Sequence, residues 1–391
     1  MSTALVRMKF AAVAAKIETT VGTDIFGGSV GSTDWIGGDC QVSFDPQILE
    51  IAEYNGSLDR TASVVGGLRP RLQIRMPLRG SGTAGTAPEW GKMLLACTFG
   101  ETITAAAVGA PTAATAGTTT TVTAASPFGT TAQAYRGMPL VITGVSPGTT
   151  GIMDYTAGRV ITVGDTRTLM TTSSLLAVPI NVLYSPTSDE SVYKTLTIYF
   201  YADGLLWTFT GAVGNATLEL TTGGIGYINF EFRAQFGAKS ATSLPAAAAT
   251  AANTRIATVP PRWVSGSSQL NKSLAQVRTL SVNTGVQVVL PDDPESSQGY
   301  GAAVPTERDT QGTLDPLMHT TRSLALFTAF QAGTAMSLQA IIGSTAGNRF
   351  LVTLPSVKAV AMDPGNRDGL GQDGISFQAD GADAGFYIAH F

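Results

Sequence analysis

The side chains able to do chemistry are few and scattered. His319 and His390 are the only two histidines and lie far apart, and no HExxH, GxSxG, nucleotide-binding glycine loop or CxxC accompanies them. Cys40 and Cys97 are too few for a disulfide scaffold or a thiolate metal site. Cys97 falls on the apolar side of a helical pattern, where a buried thiol belongs. Two acidic runs gather oxygen ligands: PDDPESS, with Asp292, Asp293 and Glu295, and DPGNRDG, with Asp363, Asn366 and Asp368. Neither has calcium-loop spacing. Both read as solvated turns braced by Asp and Asn, with a bound cation in the second as the alternative. The expectation is a chain that is not an enzyme, with no catalytic residue, no metal and no cofactor.

One charge pattern is left, and it is positional. In LRPRLQIRMPLRG (68–80), Leu72, Ile74, Met76 and Leu78 alternate with Arg69, Arg71, Gln73, Arg75 and Arg79. Period 2 is that of a strand with one face in a core and the other against solvent or a partner. Four like charges on one strand face repel unless something answers them. Arg69, Arg71, Arg75 and Arg79 are therefore expected at a subunit interface, paired with carboxylates of a neighbour; a solvated outer face is the alternative. A glycine-rich turn leads into PEWGKMLLACTF, where Trp90, Met93, Leu94 and Cys97 recur at helical spacing behind Pro88.

Around this unit the composition sets limits. Of 391 residues only 13% are charged, and Gly, Ala, Thr and Ser abound, as in a loop-rich β protein with much of its surface against other protein. The length suits two or three domains. A net charge of −4 argues against a protein that neutralises nucleic-acid phosphates, though not against nucleic acid passing through. No signal-peptide pattern and no run of 18 apolar residues is present, so no membrane-spanning segment is expected.

Taken in order, 8–17 reads as either strand or helix. GTDIFGGSVGSTDWIGGD (22–39) is a long glycine-rich loop in which Trp35 is a candidate contact residue, the alternative being that it folds back on its own domain. Residues 47–65 supply a strand pair before the arginine strand. Residues 101–186 form short strands bounded by Gly or Pro, a small β domain inserted into a larger one. From Lys194 four amphipathic strands follow, the last with Ile228, Phe230, Phe232, Ala234 and Phe236 on one face. Residues 239–261 read as a linker. In 262–391 a strand at 285–290, a helix opened by Pro316 with Asp315 as N-cap, and the strands MSLQAII, NRFLVTLP, VKAVAMD and GISFQAD repeat the first pattern. Pro88 and Pro316 are 228 positions apart but Leu196 and Leu338 only 142, a difference of 86, close to the length of the insertion. Two similar β-plus-one-helix domains, the first (1–100 and 187–238) interrupted by 101–186 and the second at 262–391, explain this arithmetic.

RPRLQIRMPLRGSGTAGTAPEWGKMLLACTF resembles the segment of the major tail tube proteins of long-tailed bacteriophages in which a strand runs through RGSGTAGTAPE into a short helix. KIETTVGTD resembles their opening and GNATLELTTGGIGYINFEFRAQFG their closing strands, while FTAFQAGTAMSLQAII, NRFLVTLPSVKAVAMD and NRDGLGQDGISFQAD resemble the end of a second such unit. The resemblance implies a mainly β fold of two tail-tube-like β-sandwich or barrel domains, each with one short helix, and a small β insertion in the first. It further implies rings closing a β-barrel around a lumen that conducts the genome, stacked head to tail in the virion tail and assembled in the host cytoplasm. The implied partners are further copies of the chain, a tape measure protein, and tail terminator and tail tip proteins, with DNA in transient passage. Six units per ring would make three chains a pseudo-hexamer; six chains with the last third as an added layer is the competing arrangement. DNA must slide, so the lumen is expected to be acidic or neutral, with Glu219 and Glu231 as candidates. Another virion surface, decoration or adhesive protein is the alternative function.

Overall fold

The computed structural model describes residues 5–54, 56–59 and 62–391. β1 (Ala11–Ile17), β2 (Trp35–Ile36), β3 (Asp39–Glu50) and β4 (Ser63–Pro77) precede helix α1 (Gly91–Leu95) and β5 (Phe99–Thr104). Seven short strands follow: β6 (Val108–Ala113), β7 (Ala116–Gly117), β8 (Thr121–Thr123), β9 (Pro139–Gly144), β10 (Gly148–Tyr155), β11 (Val160–Val163) and β12 (Ser174–Val178). β13 (Asn181–Pro186), β14 (Leu196–Ala202), β15 (Leu205–Thr221) and β16 (Tyr227–Ala241) lead to helix α2 (Ala247–Ile256). Then come β17 (Ser267–Leu270), β18 (Ser273–Leu274), β19 (Val277–Asn283), β20 (Val286–Val289), β21 (Val304–Arg308) and β22 (Gln311–Pro316). Helix α3 (Thr320–Gln331), β23 (Met336–Ile342), β24 (Phe350–Arg367), β25 (Leu370–Ala379) and β26 (Tyr387–His390) complete the chain.

Among the described residues seventeen strands hydrogen-bond into one mainly antiparallel network, part of it curled into a half-barrel. Its centre is the run β3–β4–β16–β15–β19–β22–β25–β24. The alternation read in 68–79 is present: Leu72, Ile74, Met76 and Leu78 are buried while Gln73 and Arg75 are exposed. One cross-strand row, Met76, Ile228, Leu218, Val282, Gly312 and Phe377, shows how the core face is continuous over six strands. A Cβ on Gly312 would lie 2.4 Å from the Phe377 ring, so only glycine lets that ring lie flat across the strand. Trp90, Met93 and Leu94 from the α1 region fill the same core, together with Phe209 and Phe350 from the far ends of β15 and β24 and Ile198, Val182 and Ile388 from strands outside the central run.

The long strands serve two layers. β15 pairs with β14 through Ala212 and with β19 from Thr217, and its register against β16 shifts between Thr210 and Val213. β24 likewise pairs with β23 as far as Val357 and shifts against β25 between Ala359 and Ala361. A bulge bends a strand and steepens its twist, which lets one strand leave one layer and enter another. The pairing order β14–β15–β16–β4–β3 therefore recurs as β23–β24–β25–β22–β19.

Several local expectations are corrected. Residues 8–17 are a short 3-10 turn followed by β1. Trp35 is not a contact residue in an open loop: it is 3% exposed, its strand β2 pairs with β1, and its ring packs 5.5 Å from that of Tyr201. The 239–261 stretch is no extended linker, since it holds the end of β16 and α2, whose alanines are strong helix formers. Pro316 ends β22 instead of opening a helix, and Asp315 accepts hydrogen bonds from the Arg278 and Thr279 amides; α3 starts at Thr320. NRFLVTLP and VKAVAMD are one strand, because Pro355 sits within β24 without ending it.

The insertion is narrower than the expected 101–186 and packs against the main network. β5 and β13 pair with each other in the main network, and the separate seven-stranded sheet runs from β6 to β12. Leu140, Ile142, Ile152 and Val163 share a core with Leu183, Ile341, Leu351, Tyr387, Ala389 and Phe391. Residues alternating with these, Val182, Ala340, Phe350 and Ile388, face the main core, so β23 and β26 are buried on both sides. Gln339 Oε1 accepts from the Gly151 amide at 2.8 Å inside this contact. Deleting 107–179 and rejoining the ends would bare this apolar face. The deletion is expected to yield insoluble protein on fractionation, and soluble, normally folded protein would show that the cover is dispensable.

Candidate functional site

The opposite face of the central run is polar from edge to edge. Asp39, Arg75, Asn229, Thr217, Asn283, Gln311, Gln378 and Lys358 stand side by side across β3, β4, β16, β15, β19, β22, β25 and β24. A neighbouring row holds Gln41, Gln73, Glu231 and Asn215. Strand periodicity dictates this, because residues two apart share a face and their neighbours are committed to the core. Gln41, Gln73, Asn215, Asn229 and Glu231 line an open trough of about 430 Å³. Its amide walls lack the apolar enclosure of a small-molecule pocket.

The charges on this face cancel. Arg69 lies 3.3 Å from Asp45, Arg71 2.5 Å from Glu231, Arg75 3.8 Å from Glu219, and Arg79, past the end of β4, 3.7 Å from Glu89. The carboxylates expected from a neighbour are thus supplied by the chain itself, and the repulsion along β4 is answered within one fold. Arg71 and Arg75, expected at an interface, share one face with Glu219 and Glu231, expected on a lumen. In the first half of the sheet Arg69, Arg71, Arg75 and Arg233 are matched in number by Asp39, Asp45, Glu219 and Glu231. Arg75 also lies over the Tyr227 ring, 4.0 Å from its centroid. Arg79 belongs to a different cluster: Glu89 also meets Arg255 of α2 at 3.7 Å, and burial raises the Glu89 carboxyl above its ordinary pKa despite these cations.

Sequence reasoning missed the amides. Asn215 donates through Nδ2 to Asn283 Oδ1 at 2.8 Å and accepts from Thr284 Oγ1 and the Val286 amide, fastening β15 to β19. The alternation of Asn215, Thr217 and Glu219 with Ala216, Leu218 and Leu220 was the available signal.

The face ends at two open edges. Among the described residues β3 pairs with β4 alone, and 358–367 of β24 pair only with β25, leaving the side that β23 occupies further up the strand without a partner. Backbone donors and acceptors on such edges are templates for another strand. Among the described residues no group of three or more His, Cys, Asp or Glu is placed to hold a metal ion, and both cysteines are free and buried.

Because Arg71 and Glu231 are both about 40% exposed, their short ion pair is screened. A double-mutant cycle with Arg71→Ala and Glu231→Gln should return a coupling of roughly 0.2–1 kcal/mol in chemical denaturation, and several kcal/mol would mean that the pair is a structural lock.

The chain matches none of the curated proteins compared with it. The family model of the phage tail tube protein matches it over residues 11–386, a span that takes in every strand of the central run, both open edges and the polar face between them. The chain belongs to the phage tail tube protein family.

Proposed function

We propose that the chain is a ring-forming tail tube subunit whose rings close by pairing the open edge of β24 in one copy with the open edge of β3 in the next. One observation carries this reading: a joint of that kind already exists inside the chain. β15 meets β19 with Thr217 opposite Asn283 and Thr221 opposite Thr279. β24 stands to β23 and β25 as β15 stands to β14 and β16, and β3 stands to β4 as β19 stands to β22. The chain is then two tube units in tandem, 1–100 with 187–238 and 262–391, and a β24–β3 joint repeats the internal one between copies. Such a head-to-tail contact satisfies both edges and closes into a ring. With six units to a ring, three chains complete it, with true threefold and approximate sixfold symmetry.

In this ring the polar face lines the bore. Glu219 and Glu231 are then lumen residues, accompanied by Arg71 and Arg75, while Arg69, across from Asp45 on β3, lies beside the joint. Amides and matched charges offer sliding DNA no excess of cations, so no counterion release holds it. Stacked rings form the genome conduit of a phage tail, assembled in the host cytoplasm on a tape measure protein and capped by terminator and tip proteins.

Native mass of an isolated ring tests the closure: three chains of 40.4 kDa give about 121 kDa and six about 242 kDa. The expected result is the smaller ring. A six-chain ring lined only by β3, β4, β16 and β15 would reject the tandem reading. Rings should also fail to retain duplex DNA at physiological salt; tight, salt-dependent retention would contradict the neutral bore.

A further inference from the structure

We infer that the joint between copies has one register, in which Arg367 at the lower end of β24 stands opposite Asp39 at the start of the next copy's β3, and that this ion pair selects the partner edge. It rests on the ring reading proposed above and specifies the contact surface of that ring residue by residue.

The register follows from irregularities that the two halves share. β15 gains one residue on β14 between the pairs Leu196 with Ala212 and Ile198 with Phe209, and β24 gains one on β23 between Met336 with Val357 and Leu338 with Leu354. A bulge marks one position in each strand, so Ala212 corresponds to Val357 and Gly214 to Ala359. The neighbouring strands agree: Gly214, Phe232, Leu72 and Val42 form one cross-strand row, and Ala359, Phe377, Gly312 and Val282 form the other. Val42 therefore takes the place of Val282. β24 then carries one extra residue against β25 between Ala359 and Ala361, so Met362, opposite Ile375, corresponds to Ala216, opposite Phe230. Within the chain Thr217 pairs with Asn283, Leu218 with Val282 and Thr221 with Thr279. Carried across copies, these pairs become Asp363 with Ser43, Pro364 with Val42 and Arg367 with Asp39.

The change of residues changes the character of the joint. Threonines face each other at the lower end of the internal one. At the external one Asp39 is exposed beside Arg75, and Arg367 reaches Asp315 of its own chain at 3.4 Å. Joining the edges sets Arg75, Asp39, Arg367 and Asp315 in a row of alternating sign, which stabilises a strand pair as like charges destabilise it. Two β3 edges brought together about Val42 would instead set Asp39 against Asp45. β3 is thereby turned away from copies of itself and toward β24.

The peptide groups alone hold this joint less well than its internal counterpart. The Thr284 amide donates to the Ala216 carbonyl at 2.9 Å and the Thr222 amide to the Arg278 carbonyl at 2.8 Å, so the even-numbered residues of β15 aim their peptide groups at β19. Leu218 is one of them, and Pro364 in its place has no N–H to donate. The place of Asn215, whose amide fastens the internal joint, is taken by Val360 and Ala361. With a bond fewer and no amide clasp, the external ladder depends on its charges.

Ser43→Cys, Gln41→Cys and Asp363→Cys replace exposed residues, so each variant is expected to fold. The native thiols are buried, and burial pushes Cys40 up to about 12, which leaves a clean background. The position-363 variant is mixed in turn with the position-43 and position-41 variants, assembled, oxidised with copper–phenanthroline and run on non-reducing gels. Directly opposed residues lie within the Cα separation of about 4.4–6.8 Å that a disulfide spans, and residues offset by two do not. The expected result is linked chains from 43 with 363 and none from 41 with 363. Linkage from 41, or none from 43, in rings of the expected mass overturns the register while ring closure stands; absence of any ring removes the ring reading and the register together. Asp39→Arg gives the second measurement: ring yield falls at least tenfold while the melting temperature of the free chain is unchanged, and Asp39→Glu keeps the yield. Undiminished ring yield with Asp39→Arg overturns the selection by charge.

Discussion

A sheet that bends but does not close must do something with the peptide groups of its last strands. Here the central run ends at β3 on one side and at the lower part of β24 on the other, and among the described residues no further strand pairs with either edge. Soluble proteins usually blunt such edges because a flat exposed edge recruits other chains. An edge kept open at both ends of a curved, amide-lined face fits a chain that completes its hydrogen bonding by assembly. The polar face, the neutral balance of its charges and the matched joint at β15–β19 all follow from that one unfinished ladder.

Keeping the edges open places demands on the rest of the fold. A two-layer arrangement needs strands long enough to belong to both layers, and β15 and β24 meet this by bending at their bulges. Bending leaves the outer faces of β23 and β26 apolar, since the residues between those facing the main core have to point somewhere. The seven-stranded insertion covers that face. It is therefore part of the core's completion, though its place in the sequence is that of an added domain.

Much of this was legible before any coordinates. The period of 68–79 gave the strand, its buried face and its charged face, because alternation is a local consequence of the pleat. The strand strings of β23, β24 and β25 were legible for the same reason, whereas β17, β18, β19, β21 and β22 ahead of α3 were not. What local pattern could not supply was which residues meet. Arg71 answers Glu231, 160 positions away, and no spacing rule announces a cross-strand diagonal. Trp35 looked exposed because its neighbours are glycines, yet glycine is what lets that loop fold tightly enough to set the ring against Tyr201. Asp315 and Pro316 carry a helix-start signal, and tertiary pairing of β22 with β19 overrode it. Met336–Ile342 was read correctly as a strand, but its unbroken apolar run was the unused clue that both its faces are covered.

The tandem arrangement proposed above would also have a thermodynamic consequence. Each association of free chains costs translational and rotational entropy before any contact contributes. In a ring of six units from single-unit chains, every joint bears that cost. When two units share a chain, α2 and its flanking segments hold the second beside the first, so the β15–β19 joint forms at high effective concentration and is finished when the chain folds. In the proposed ring only the β24–β3 joints would be left for assembly, half as many as in the single-unit ring. The Asn215–Asn283 clasp belongs to the internal joint, where it can be fixed during folding. The proposed external joint would have to stay open until a neighbour arrives, a physical reason for the two junctions to diverge in sequence.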